Sequence, residues 1–173
     1  GNSGDGDYSS PAGVGGAGGA TTTNGVAGGA GRVVISWTGT TTAGSWAIEN
    51  VNASAGDVIT VFINGATSSE AVAVTKYDGV GDITDMSLIE RNLTLGSADN
   101  PTISNHDIGQ YQNSDDEDLF YSVSGANELT LCVESSCTDA RLNVLASTTY
   151  QPEANGSVIN FENNGTFVPA TST

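Results

Sequence analysis

Apolar and polar residues alternate in short runs along most of the chain, and Gly, Asn or Asp ends nearly every run. A period of two marks strands, because successive strand side chains point to opposite faces. The pattern predicts strands at 32–38, 45–51, 57–64, 70–77, 117–123, 128–133, 141–146, 157–162 and 166–168. In the third of these, Val58, Thr60, Phe62 and Asn64 face one way and Ile59, Val61 and Ile63 the other, so at least one full face is expected to be buried. Asn64-Gly65 is a turn signal that allows 57–64 and 70–77 to pair as a hairpin. Met86, Ile89, Glu90 and Leu93 have helical spacing, yet Leu93-Thr94-Leu95 alternates and Gly96 stops the run, so 86–95 is read as a strand. Residues 97–116 are polar, contain Pro101 and hold no period, which predicts a long surface loop.

So many short strands separated by turns predict an all-β fold, a β-sandwich or jelly-roll over 32–173. Before it lies a Gly-rich arm over 1–31, with near-repeats at 13–20 and 25–31. Such an arm loses much entropy on ordering and has little apolar surface to offset the loss. It suits a flexible linker, or backbone packed closely between copies of the chain.

Composition narrows the function. Four Lys and Arg against twenty Asp and Glu give a net charge of −16, which repels nucleic-acid phosphate and anionic headgroups. No apolar run reaches the roughly 20 residues that span a bilayer. Gly1 carries neither an initiator Met nor a signal-like stretch, which reads as a processed chain or a piece of a longer one. The two cysteines, Cys132 and Cys137, are too few for a zinc site. A short-loop disulfide pinning a hairpin is expected in an oxidising compartment, the alternative being two reduced thiols facing the core.

A sandwich has edge strands, and an edge accepts an extended segment from a neighbour. Both ends of the chain offer one: Arg32, Val33, Val34, Ile35 and Trp37 after the arm, and Val158, Ile159 and Phe161 near the C-terminus. Each is a candidate donor strand for a homopolymer, and each could equally pair within its own domain.

The runs Ala55-Gly56-Asp57-Val58-Ile59-Thr60-Val61, 71–84 from Ala71-Val72-Ala73-Val74 to Asp82-Ile83-Thr84, Leu95-Gly96-Ser97-Ala98-Asp99 and Asn164-Gly165-Thr166-Phe167 carry a resemblance over 55–167. That stretch resembles a module of very long, repetitive surface proteins of uncultured bacteria, and the arm resembles Gly-rich stretches of phage tail-tip and surface adhesins. The resemblance implies a secreted, β-rich, extracellular role at the cell surface and brings no active site with it. A solitary module with its own arm departs from the tandem pattern and points to a self-assembling subunit.

Asp78, Asp82 and Asp85 sit in a Gly-containing stretch that could curl round calcium, although the twelve-residue loop with its closing Glu is missing. The alternative is a solvated Asp-Gly turn. The run 115–118 is denser in charge and reads as a solubilising patch. Lys76, the sole lysine, could join an Asn in an isopeptide crosslink or form an ordinary ion pair. Sequons at Asn52, Asn92, Asn155 and Asn164 permit glycans.

The only histidine, His106, lies beside Asp107 without a nucleophile elbow, phosphate loop or His-based metal motif, so no enzyme is expected. Two functions remain. The first is a structural subunit of an extracellular, pilus-like filament polymerising by donor-strand exchange. The second is a secreted carbohydrate-binding or adhesin module, partnered by glycans or a neighbouring cell surface, in which Trp37, Trp46 or Tyr111 forms an aromatic platform and calcium orders the loops.

Overall fold

The computed structural model describes residues 44–65, 70–132, 139–154, 156–157 and 160–170. The arm over 1–31 and the strand expected at 32–38 therefore lie outside the described residues.

Among the described residues the chain is all-β apart from one turn of helix. Its elements are β1 (Val58–Phe62), β2 (Val72–Lys76), β3 (Asn92–Leu95), β4 (Thr102–Ile103), α1 (Asn105–Ile108), β5 (Tyr121–Val123), β6 (Leu129–Leu131), β7 (Arg141–Val144), β8 (Thr149–Tyr150), β9 (Gly156–Ser157), β10 (Asn160–Asn163) and β11 (Thr166–Phe167). They form three sheets, ordered β1-β2-β3-β7-β10, β11-β8-β4 and β5-β6-β9.

The pairing is where the structure departs from the sequence expectation. β2 with β3, β3 with β7, β7 with β10, β4 with β8, β8 with β11 and β6 with β9 are all parallel. Among the described residues only β1 with β2 and β5 with β6 are antiparallel. Read along the chain, β3, β4 and β6 visit the three sheets in turn, β7, β8 and β9 repeat the circuit one layer on, and β10 and β11 begin a third. These are stacked rungs of a short parallel solenoid, not the antiparallel layers of a sandwich or jelly-roll. The ladder continues through the bend between the first two sheets. Leu145 N–H donates to Leu95 C=O at 3.0 Å, Asn164 N–H to Val144 C=O at 2.9 Å and Thr166 N–H to Thr148 C=O at 2.8 Å.

Register explains the core. Val72, Leu93, Leu142 and Phe161 are successive partners across the first sheet, and Ile103, Tyr150 and Phe167 across the second. All but the two phenylalanines of the last rung are buried, so the inward columns form the core, with Phe62, Leu119, Tyr121 and Leu129 packed into it. Thr102, Thr149 and Thr166 make a matching outward column on the second sheet.

Between β4 and β5 the chain leaves the rung. Ser104 caps α1 in a capping box, its hydroxyl accepting from Asp107 N–H while the Asp107 carboxylate accepts from Ser104 N–H. Within the acidic run, Asp115 accepts from Gln112 N–H, Asp116 from Asp118 N–H, and Asp118 from Gly65 N–H at 2.7 Å. Three of its carboxylates thus hold turns, and the strand expected from 117 starts only at Tyr121. Residues 45–51, expected as a strand, take no regular secondary structure and join no sheet.

Candidate functional site

Two surfaces invite a partner. The first is the last rung. Phe161 and Phe167 continue the inward columns yet remain 44% and 41% exposed, and the neighbouring Val168 is 37% exposed. Phe161 and Phe167 meet edge to face at 5.4 Å, and Tyr150 lies 6.4 and 5.8 Å from them. Among the described residues no strand pairs with the outer edge of β10 or β11. Glu162, facing outward, takes the Arg141 guanidinium at 2.6 Å, both half-exposed. The result is an apolar aromatic patch bordered by open backbone donors and acceptors, where further strand would add.

The second is a groove of about 980 Å³ at the opposite end of the first sheet. Its floor is Ile59 and Val61, and its walls are the irregular segments 44–51 and 81–86, which bring Trp46, Glu49, Asp82, Asp85 and Met86 together with Tyr77. Trp46 and Tyr77 are partly buried, so each offers part of a ring to a ligand.

Other sequence candidates fare differently. Asp78, Asp82 and Asp85 are not gathered: Asp78 folds back to accept from Val80 N–H, and no set of three metal-capable groups occurs among the described residues. Burial first, and then the charge of Asp78, push the Asp99 carboxyl above the usual carboxylate range. Cys132 is disulfide-bonded, while Cys137 lies outside the described residues. Val158, Ile159 and Asn155 also lie outside them, as do Arg32, Val33, Val34, Ile35 and Trp37. Phe161 pairs through β10 with β7 of its own chain, leaving its other side open. Asn52 and Asn164 are exposed, but Asn92 is buried in β3 and is closed to a glycan. Tyr111 is partly buried and packs against the core 6.0 Å from Phe62, away from the residues that line the groove. His106 is exposed and meets Gln110 at 3.0 Å.

Lys76 forms the ion pair. Its Nζ lies 2.8 Å from Asp107 Oδ2, the carboxylate that also serves the helix cap. Burial pushes the Asp107 carboxyl up, but the Lys76 hydrogen bond and the two Ser104 bonds outweigh it and hold it below the usual range. Tyr150 Oη donates to Asn105 Oδ1 at 2.7 Å, and Asn105 Nδ2 to Asn127 C=O at 2.7 Å, tying the second sheet to α1 and the β5–β6 turn. Burial pushes the Tyr121 and Tyr150 hydroxyls far above the ordinary tyrosine value. These groups hold the excursion against the rungs. The chain matches no protein-family profile, no curated protein and no solved structure.

Proposed function

We propose that the chain is a structural subunit of an extracellular, pilus-like filament, polymerising by strand exchange with a terminal segment of a neighbouring subunit. The carrying observation is the last rung, where Phe161 and Phe167 hold interior positions and are left in solvent beside an open edge. Solenoids need a cap or a continuation there, because an uncovered rung exposes both apolar side chains and unpaired backbone. The test is negative-stain electron microscopy of the full chain beside its Phe161→Ser/Phe167→Ser variant. Filaments lost in the variant support the reading, and monodisperse particles from the full chain overturn it.

The groove favours a second reading, an adhesin module that binds glycan through Trp46 and Tyr77. A sugar ring stacking on either aromatic would bury apolar surface while the acidic rim accepts hydroxyl hydrogen bonds. Titration of the full chain and its Trp46→Ala variant against a glycan array tests it. Binding that survives the substitution, or no binding at all, removes this reading.

A further inference from the structure

We propose that the groove over Ile59 and Val61 takes a glycan whose rings carry free ammonium groups, an amino-sugar oligomer, in preference to neutral or anionic glycans. This rests on the adhesin reading of the groove and names the ligand class within it.

Three observations carry it. The first is the charge of the lining. Among the described residues that line the groove are the carboxylates of Glu49, Asp82 and Asp85, and no Lys, Arg or His. The ion pairs formed by Lys76 with Asp107 and by Arg141 with Glu162 lie elsewhere. Asp57, Asp78, Asp115 and Asp118 each accept from a backbone N–H, whereas among the described residues no donor reaches Glu49, Asp82 or Asp85. Ionised carboxylates only accept. The Tyr77 hydroxyl proton is engaged as well, since Oη donates to Gly81 C=O at 2.9 Å. The charged groups of the groove therefore ask for a donor-rich ligand. Ammonium and hydroxyl groups meet that need, while a peptide backbone brings as many carbonyl acceptors as N–H donors. An acidic sugar would be repelled by the rim and by a chain of net charge −16.

The second is the spread of that charge. No three metal-capable groups converge among the described residues, so these carboxylates do not gather about a single ion. Charges distributed along a groove match cations repeated along an oligomer. The volume of about 980 Å³ sits at the upper end of the roughly 300–1,000 Å³ of small-molecule sites, room for more than one sugar ring and far more than a lone amine fills.

The third is the fixed ring. Tyr77 N–H donates to Asp57 C=O at 2.9 Å, Gly56 N–H donates to Tyr77 C=O at 2.8 Å, and the hydroxyl is anchored on Gly81. The side chain is held at both ends before a ligand arrives, so stacking a sugar on it costs little entropy. Trp46 lies in the same groove. The face of an aromatic ring attracts an ammonium group as well as the apolar face of a sugar. An amino sugar uses both attractions, and a neutral sugar only one.

The test is calorimetric titration of the full chain, in mildly acidic buffer where sugar amines are charged, with a short chitosan oligomer, the N-acetylated chitin oligomer of the same length and, as a polycation without sugar, spermine. Solvent-screened pairs to the rim carboxylates should together make the chitosan oligomer bind roughly tenfold tighter than the chitin oligomer at low salt, a preference that shrinks as salt rises. The Glu49→Gln/Asp82→Asn/Asp85→Asn variant should bind both oligomers alike, and Trp46→Ala should weaken both. Asn tolerates the φ of +60° that Asp85 holds as well as Asp does, so the triple variant should keep the fold. Chitin binding as tight as chitosan binding overturns the ammonium preference and leaves the adhesin reading standing. Chitosan binding that spermine matches and that Trp46→Ala leaves intact is attraction to the charge of the whole chain, and overturns the site. If neither oligomer binds, the ammonium assignment fails, and if the glycan array is blank as well, the adhesin reading fails with it.

Discussion

Gly96 and Thr148 occupy the same corner of successive rungs, and a methyl group on Gly96 would overlap the Thr148 hydroxyl. Gly96 also holds φ at +116°, a region that side chains disfavour. Gly96→Ala should therefore destabilise the fold by roughly 2 kcal/mol or more, combining backbone strain with overpacking. Thr148→Ala in the same chain should recover part of the loss by removing the overlap. Urea unfolding of the two single variants and the double variant checks this, and strict additivity would mean the two residues do not share the corner.

Asp107 predicts an acid limb in stability. Its carboxyl is held below its unfolded value of about 3.9, so its contribution is fully present above that pH and is lost as pH falls through the lower folded value. Asp107→Asn should cost roughly 1–3 kcal/mol at pH 7, removing the Lys76 pair and weakening the helix cap. The gap between the two proteins should close as the pH approaches 2. Unfolding midpoints measured from pH 7 to pH 2 give the comparison.

Tyr150 and Tyr121 predict an alkaline limb with the opposite sense. Burial raises both hydroxyls, so the unfolded chain ionises above about pH 10 while the folded chain stays neutral, and stability falls as pH rises further. Absorbance near 295 nm should show these two tyrosines titrating only together with unfolding. Tyr150→Phe should cost roughly 1–3 kcal/mol at neutral pH, because Asn105 Oδ1 loses its buried donor.

The two ends of one inward column should respond differently. Leu142→Ala, in the buried middle, should cost about 2–5 kcal/mol, whereas Phe161→Ser, half out of water, should cost far less while diminishing assembly. Unfolding and sedimentation on the same two variants separate folding from association.

Strand positions were largely legible in the sequence, because alternation records which side of a strand meets the core. Val72, Val74, Leu93, Leu95, Leu142 and Val144 all fell in expected strands and all are buried. The pairing was hidden. Val72 meets Leu93, Asn92 meets Arg141 and Arg141 meets Asn160, so the interval between stacked partners changes at every layer and no fixed repeat is visible. The excursion carrying α1 and the β5–β6 hairpin stretches one of those intervals. Parallel neighbours also share no turn, so Asn64-Gly65 could announce β1–β2 but nothing local announces β3–β7. Of the two surfaces, Phe161 stood out as a candidate strand residue in the sequence, and its exposure did not. The groove was half legible. Trp46, Asp82 and Asp85 were each singled out, but their meeting over Ile59 and Val61 depends on 44–51 running alongside the sheet without joining it.

Because the rungs are joined by ladder bonds that run along the stacking direction, the fold has a mechanical grain. Tension along that direction stretches each interface between neighbouring layers and parts it as a zip opens, one short strand at a time, beginning with β10 and β11 and their partly wetted contacts. Tension across the layers would have to shear every ladder together. A fibre built of such units would yield lengthwise in small, successive steps and resist sideways load far better.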